Sequence, residues 1–236
     1  MKKAILSVLA AAIVAMGFNT GCASMNNTTK GTLIGGGAGA AVGAGVGMLV
    51  SSKHDRGKGA AIGAAIGGAV GAGTGAIIGK HMDNKAAKLK EQLAQQAAVE
   101  TIEDANGLTA IKVTFDADMS FAKNSSSLSA SAKAAVAQFA AQMVSEDMLA
   151  TDILIKGHTD SSGGDKVNQP LSEKRAKSVG DVLRANNVTA ARITETGLAS
   201  SEPITDNAAD AANRRVEVYV LATEAMVKQV EAGQIK

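Results

Sequence analysis

Glycine recurs at every fourth residue in two unbroken runs, and this restricts the first third of the chain more than any other feature. The first run is Gly31, Gly35, Gly39, Gly43 and Gly47; the second is Gly59, Gly63, Gly67, Gly71, Gly75 and Gly79. Four-residue spacing lines these positions along one slowly drifting stripe of an α-helix. Each helical glycine costs about 0.8–1 kcal/mol against alanine, so a run of five or six costs roughly 4–6 kcal/mol. No isolated helix in water tolerates that. A flexible linker is the competing reading, but linkers are Ser-rich and polar. These runs are uncharged and carry Leu33, Ile34, Val42, Val46, Leu49, Ile62, Ile66 and Val70. A small-residue stripe lets helix backbones approach closely, which offsets the cost through packing. The spacing therefore predicts a helical hairpin over 31–80, turned at Lys53–Lys58, that packs on itself, on sister copies or in a bilayer.

Ahead of the hairpin, Lys2 and Lys3 precede an apolar run from Ala4 to Phe18 and the small residues Gly21, Cys22, Ala23 and Ser24. That is the layout of a secretory signal. Cys22 is the chain's single cysteine, so no intramolecular disulfide can form. Its position predicts a signal peptide over 1–21, lipidation of Cys22 and a short linker over 22–30. The alternatives are a plain signal cut near Ala23, or an uncleaved anchor, for which the run is short. Formal net charge is +2, and without Lys2 and Lys3 the 24 basic residues become 22, matching 22 acidic ones. With no basic run and no aromatic stacking set, nucleic acid is not an expected partner.

Residues 81–107 read as an amphipathic connecting helix. Met82, Ala86, Leu89, Leu93 and Ala97 recur at helical spacing, and Asn106-Gly107 ends it. Its expected role is to hold the last domain off the membrane. From Leu108 strand and helix signals alternate. Strands are expected over 108–115, 151–156, 192–196 and 215–221, and helices over 129–144, 171–185 and 223–234, with Ser129 as an N-cap. The order β-α-β-α-β-β predicts an α+β domain over 108–222, one sheet with helices on one face, followed by a C-terminal helix or tail over 223–236.

Within that domain the residues carry a resemblance. Gly157-His158-Thr159-Asp160-Ser161-Ser162-Gly163, Asn168, Leu171-Ser172, Arg175-Ala176 and Asn213-Arg214-Arg215-Val216 resemble the OmpA-like peptidoglycan-binding domain. With the glycine ladders and Cys22 the whole chain resembles the YiaD-type glycine-zipper lipoproteins of Gram-negative bacteria. In such lipoproteins the signal usually carries Leu three residues before the cysteine, where this chain has Asn19. Ala23, rather than Asp, after Cys22 implies sorting to the outer membrane.

The resemblance implies a ligand: diaminopimelate in the peptidoglycan stem peptide, a zwitterion with ammonium and carboxylate groups. It implies that Asp160 accepts the ammonium and Arg175 pairs with the carboxylate as a bidentate fork. Thr159 and Asn168 would shape the loop and add hydrogen bonds. Of Arg214 and Arg215 only one can face the site, because adjacent strand residues point to opposite faces. Arg214 is in phase with Val216, Val218 and Val220, and Arg215 with Glu217 and Tyr219; Arg214 is preferred. For an arbitrary Asp and Arg, a structural salt bridge would be the better reading of Asp160 and Arg175. His158 beside Asp160 and Ser161 invites a hydrolase reading, but triads assemble from distant segments. No GxSxG elbow or HExxH helix occurs in the sequence. The expectation is therefore a non-catalytic wall-binding module with no cofactor and no metal. A stator-type proton channel would need an ionisable residue within a membrane helix, and the ladders contain none.

Overall fold

The computed structural model describes residues 72–104, 106–116, 121 and 124–236. Residues 1–71 lie outside it, and with them the expected signal segment, Cys22 and most of the glycine-ladder hairpin.

In chain order the elements are α1 (Ala72–Gln92), β1 (Ala98–Glu103), β2 (Thr109–Asp116), α2 (Ala130–Met143), β3 (Thr151–Gly157), α3 (Asp165–Ala185), β4 (Ile193–Gly197), β5 (Arg215–Ala222) and α4 (Glu224–Glu231). The strands form one mixed sheet in the order β1-β2-β5-β3-β4. Only β3 and β4 run parallel, with α3 as the crossover. Ser129 caps α2 as expected, its side chain accepting from Ala132 N.

The sheet is two-faced because its strands alternate. Ile111, Val113 and Phe115 oppose Val220, Val218 and Val216, and Ile153 and Ile155 flank the same rank. All eight join one apolar cluster with Val136 and Phe139 of α2, Val179 and Leu183 of α3, and Met226, Val227 and Val230 of α4. The opposite face carries Lys112, Lys156, Glu217 and Tyr219. The expected α+β sheet with helices on one face is what folds.

The reading of 81–107 as a connecting helix is overturned. The helix ends at Gln92, and Ala98–Glu103 is an edge strand antiparallel to β2, from Ala98↔Thr114 to Glu103↔Thr109. Asn106-Gly107 is the turn of that hairpin; Gly107 has φ 72°, and Asp104 Oδ1 accepts from the N–H groups of Asn106 (2.7 Å) and Leu108 (2.9 Å). Nor does α1 hold the domain at a distance. Ile78, Met82, Leu89 and Leu93 are wholly buried in the common core, and Lys85 Nζ pairs with Asp147 Oδ2 at 2.7 Å. An apolar stripe in water needs a surface to cover it, and the sheet supplies one. The core thus takes in chain well before Leu108, and the boundary expected at residue 80 falls inside α1, which carries the last two ladder glycines, Gly75 and Gly79.

Helix α3 begins at Asp165, six residues earlier than expected, and contains Pro170. Pro170 removes a single backbone bond, and the turns around it hold. The helix lies close on the sheet because two strand ends are glycine. A Cβ on Gly157 would strike the Ser172 carbonyl, and one on Gly197 the Glu173 backbone nitrogen. Among the described residues no helix is long and apolar enough to cross a membrane.

Candidate functional site

The end of β3, the start of α3 and the start of β5 meet at one edge of the domain. Beyond Gly157 the chain is held by backbone bonds. His158 N–H donates to Arg215 O (2.9 Å), Thr159 N–H to Ala199 O (2.8 Å) and Ser161 N–H to Ala208 O (2.8 Å). Asp160 is fixed between these anchors. Its Oδ1 accepts from the Ser162 N–H at 2.8 Å, and its Oδ2 accepts from Arg214 Nη1 at 2.7 Å. Burial pushes the Asp160 carboxyl up, but the Arg214 guanidinium and the Ser162 donors outweigh it and hold the group below the usual carboxylate range.

Asn168 closes the loop from the α3 side. Its Nδ2 donates to the carbonyls of Asp160 (3.0 Å) and Ser162 (2.9 Å). Asn168, Ser172, Arg175, Ala176 and Val179 form the buried stripe of α3, the positions expected of one helix face. Arg175 therefore lies two turns along from Asn168, a rise of about 10 Å. Its Nε donates to Ser125 O at 3.1 Å, and its guanidinium stacks 5.2 Å from the Phe121 ring centroid. The Thr159 hydroxyl is buried with no hydrogen-bond partner among the described residues. A buried hydroxyl without a partner is an unmet polar group of the kind a ligand can satisfy.

The structure thus brings Asp160, Thr159, Asn168 and Arg214 together directly, and places Arg175 on the same helix stripe. Arg215 turns away. It is buried on the far face, where its Nε donates to Glu217 Oε1 at 2.8 Å. His158 is buried there too, its Nε2 3.4 Å from Glu217 Oε2. Burial holds the imidazole below its ordinary pKa, partly countered by Glu217. Sequence reasoning missed Ser162, which orients Asp160, and Phe121 and Ser125, which hold Arg175. The signal that could have marked Phe121 is that it is the only aromatic between Phe115 and Phe139. Among the described residues no group of three His, Cys, Asp or Glu converges as metal ligands.

Residues 120–217, which carry this loop carboxylate and the arginine just ahead of the last strand, match the OmpA family. Residues 1–83 match the YMGG-like Gly-zipper, so the chain joins a glycine zipper to an OmpA-like domain. Outer membrane protein A of Escherichia coli O157:H7 is 33% identical over 131 residues, covering 50% of this chain and 38% of that protein. Outer membrane porin F of Pseudomonas fluorescens is 47% identical over 76 residues, 31% of this chain and 23% of its own. The chain therefore spans less than half the length of these relatives. Among solved structures, a putative MotB like protein from Desulfovibrio vulgaris superposes with a TM-score of 0.51 at 20% identity. That match covers 63% of this chain and 95% of the other, and it shows the fold alone.

Proposed function

We propose that this protein is a non-catalytic outer-membrane lipoprotein that binds the diaminopimelate of peptidoglycan stem peptides and so tethers the outer membrane to the cell wall. The observation that carries this reading is the juxtaposition at one edge of an ionised carboxylate, Asp160, a partly exposed guanidinium, Arg214, and the unpartnered Thr159 hydroxyl. A zwitterion needs both signs of charge within reach of each other, and this edge offers them. In this reading the ammonium joins Arg214 on Asp160. The ligand carboxylate takes the guanidinium groups of Arg175 and Arg214, and Asn168 holds the loop. Its relatives outer membrane protein A and outer membrane porin F are outer-membrane proteins by name, which supports an outer-membrane setting. Lipidation of Cys22 supplies the anchor and leaves the C-terminal domain in the periplasm.

Co-sedimentation of the full-length protein in detergent with insoluble peptidoglycan tests the reading. Truncating one partner of a buried charge pair typically costs about 2–5 kcal/mol. Asp160→Ala and Arg175→Ala should therefore each abolish sedimentation while circular dichroism stays native. Wild-type protein should leave muropeptides chemically unchanged; new cleavage products would make it an enzyme. Cys22→Ser should release the protein from outer-membrane fractions, and an unmodified Cys22 by mass spectrometry of the wild type would remove the anchor from this account. The Gly-zipper match over 1–83 supports a second reading: a zipper-linked homo-oligomer or membrane-associated pore, with the wall-binding domain as its anchor. Cross-linking in intact membranes that yields monomer alone would exclude it.

A further inference from the structure

Behind the candidate site, on the sheet face away from the helices, lies a buried charged cluster that the binding reading does not use. Glu217 is its centre. Its Oε1 accepts from Arg215 Nε (2.8 Å) and lies 3.2 Å from Lys112 Nζ. Its Oε2 accepts from the Tyr219 hydroxyl (2.6 Å) and faces His158 Nε2 at 3.4 Å. Arg215 is held further by the carbonyls of Asn213 (Nη1, 3.3 Å) and Glu202 (Nη2, 3.1 Å). Arg215 and Glu217 are each 3% exposed and His158 is 1% exposed.

Such a cluster adds little net stability, because desolvating the charges cancels most of their attraction; its best-attested use is to fix one geometry among several. What it fixes can be read from the chain. His158 stands two residues before Asp160, and Arg215 stands next to Arg214. The His158 N–H donates to Arg215 O across the two strands. The arginine that Glu217 holds, and the histidine beside it, therefore belong to the backbone pair from which Asp160 and Arg214 extend. Two adjacent arginines also pose a choice: either guanidinium could in principle serve the site carboxylate. Glu217 takes Arg215, and Arg214 is the one that reaches Asp160, at 2.7 Å.

We propose that Glu217 is a positioning residue: by holding Arg215 on the far face of the sheet, it sorts the twin arginines and sets the Asp160–Arg214 pair. This rests on the peptidoglycan-binding reading for its consequence, though not for its geometry. Glu217→Gln keeps the size and an acceptor for Tyr219 but leaves Arg215 cationic, buried and beside Lys112. Arg215 then leaves the face, and Arg214 moves with it.

Two measurements on the full-length protein in detergent test the proposal. The first is co-sedimentation with insoluble peptidoglycan. Outer groups that orient a ligating side chain at metal sites are worth about tenfold or more in affinity, and E217Q should lose about as much. The double variant R215M/E217Q, which removes the uncompensated cation, should recover most of that loss. The second is the titration of the Asp160 side-chain carboxyl by carbon-13 NMR without ligand. It should rise in E217Q toward the ordinary carboxylate value as Arg214 moves away, and return to its low wild-type position in the double variant. A purely structural Glu217 predicts otherwise: folded E217Q would bind as wild type, with Asp160 unmoved, and either finding overturns the proposal. So does a folded double variant that fails to bind while wild type binds, and that arm decides the matter should E217Q not fold. If wild type itself does not sediment with peptidoglycan, the binding reading fails, and the Asp160 titration still tests the positioning.

Discussion

Leu89 offers the sharpest test of whether α1 belongs to the C-terminal domain or merely leads to it. Its side chain is wholly buried, in a stripe with Ile78, Met82 and Leu93 that enters the same core as Phe115, Phe139 and Val218. A Leu→Ala change at such a site costs about 2–5 kcal/mol, the lost transfer energy plus the cavity left behind. Domains of this kind are stable by only about 5–15 kcal/mol. With a urea dependence of roughly 1–3 kcal/mol per molar, the unfolding midpoint should fall on the order of 1–2 M. The readout can be made specific to the sheet. Tyr219 is the chain's one tyrosine and lies on β5, so its fluorescence reports the sheet and not α1. Lys88, the preceding residue, is exposed, and Lys88→Ala should stay within about 0.5 kcal/mol of wild type. A helix held away from the domain would melt without moving the Tyr219 transition. If Leu89→Ala leaves the Tyr219 midpoint where it was, the docked α1 is wrong.

Two further predictions concern pH. Burial pushes the Asp104 carboxyl up to about 6, against the hydrogen bonds it accepts from the Leu108 and Asn106 N–H groups. The folded state therefore keeps this proton to a higher pH than the unfolded chain, whose value is about 3.9. Stability from this group is greatest below pH ~4 and is lost as pH rises through ~6, by at most about 3 kcal/mol. Asp104→Asn should remove that fall and be the more stable protein at pH 7; urea midpoints that track wild type from pH 4 to 7 would contradict it. Asp160 has the opposite sign, since Arg214 helps hold its carboxyl below the ordinary range. Peptidoglycan binding should persist to a pH below that range, and Arg214→Ala should move the acid limb upward. Normalised binding profiles that superimpose would refute the assignment.

Much of the fold was legible because the apolar pattern and the pleat agree. Val216, Val218 and Val220 alternate with Glu217 and Tyr219, so β5 and its two faces followed from period alone, and the cap at Ser129 followed from its chemistry. The stripe Met82, Ala86, Leu89 and Leu93 was equally legible as a helix face. What a stripe does not disclose is the surface that covers it, and α1 was therefore placed beside the domain instead of within it. Strand β1 left a weaker trace. Val99 is its single buried residue, as befits an edge strand with one neighbour. A segment with one inward apolar side chain has little period to show.

The site divides along the same line. Asp160, Thr159 and Asn168 stand in a motif with fixed spacing, so their proximity could be anticipated, and the same motif places Arg175 further along the α3 stripe. Their partners could not, because Ser125, Phe121 and Ser162 act through loop geometry that no periodicity encodes. The twin arginines lie between these cases. Strand phase assigned Arg215 to the face of Glu217 and Tyr219, and the 2.8 Å bond to Glu217 places it there. The same phase put Arg214 with the apolar valines, where a guanidinium has no business. The conflict resolves because β5 starts at Arg215. Arg214 caps the short 3-10 turn Ala211–Asn213 with φ −81° and ψ 97°, and from there its side chain reaches Asp160 rather than the core. A charged residue that strand phase would bury thus marks where the strand begins, and at this domain's edge the strand begins at the site.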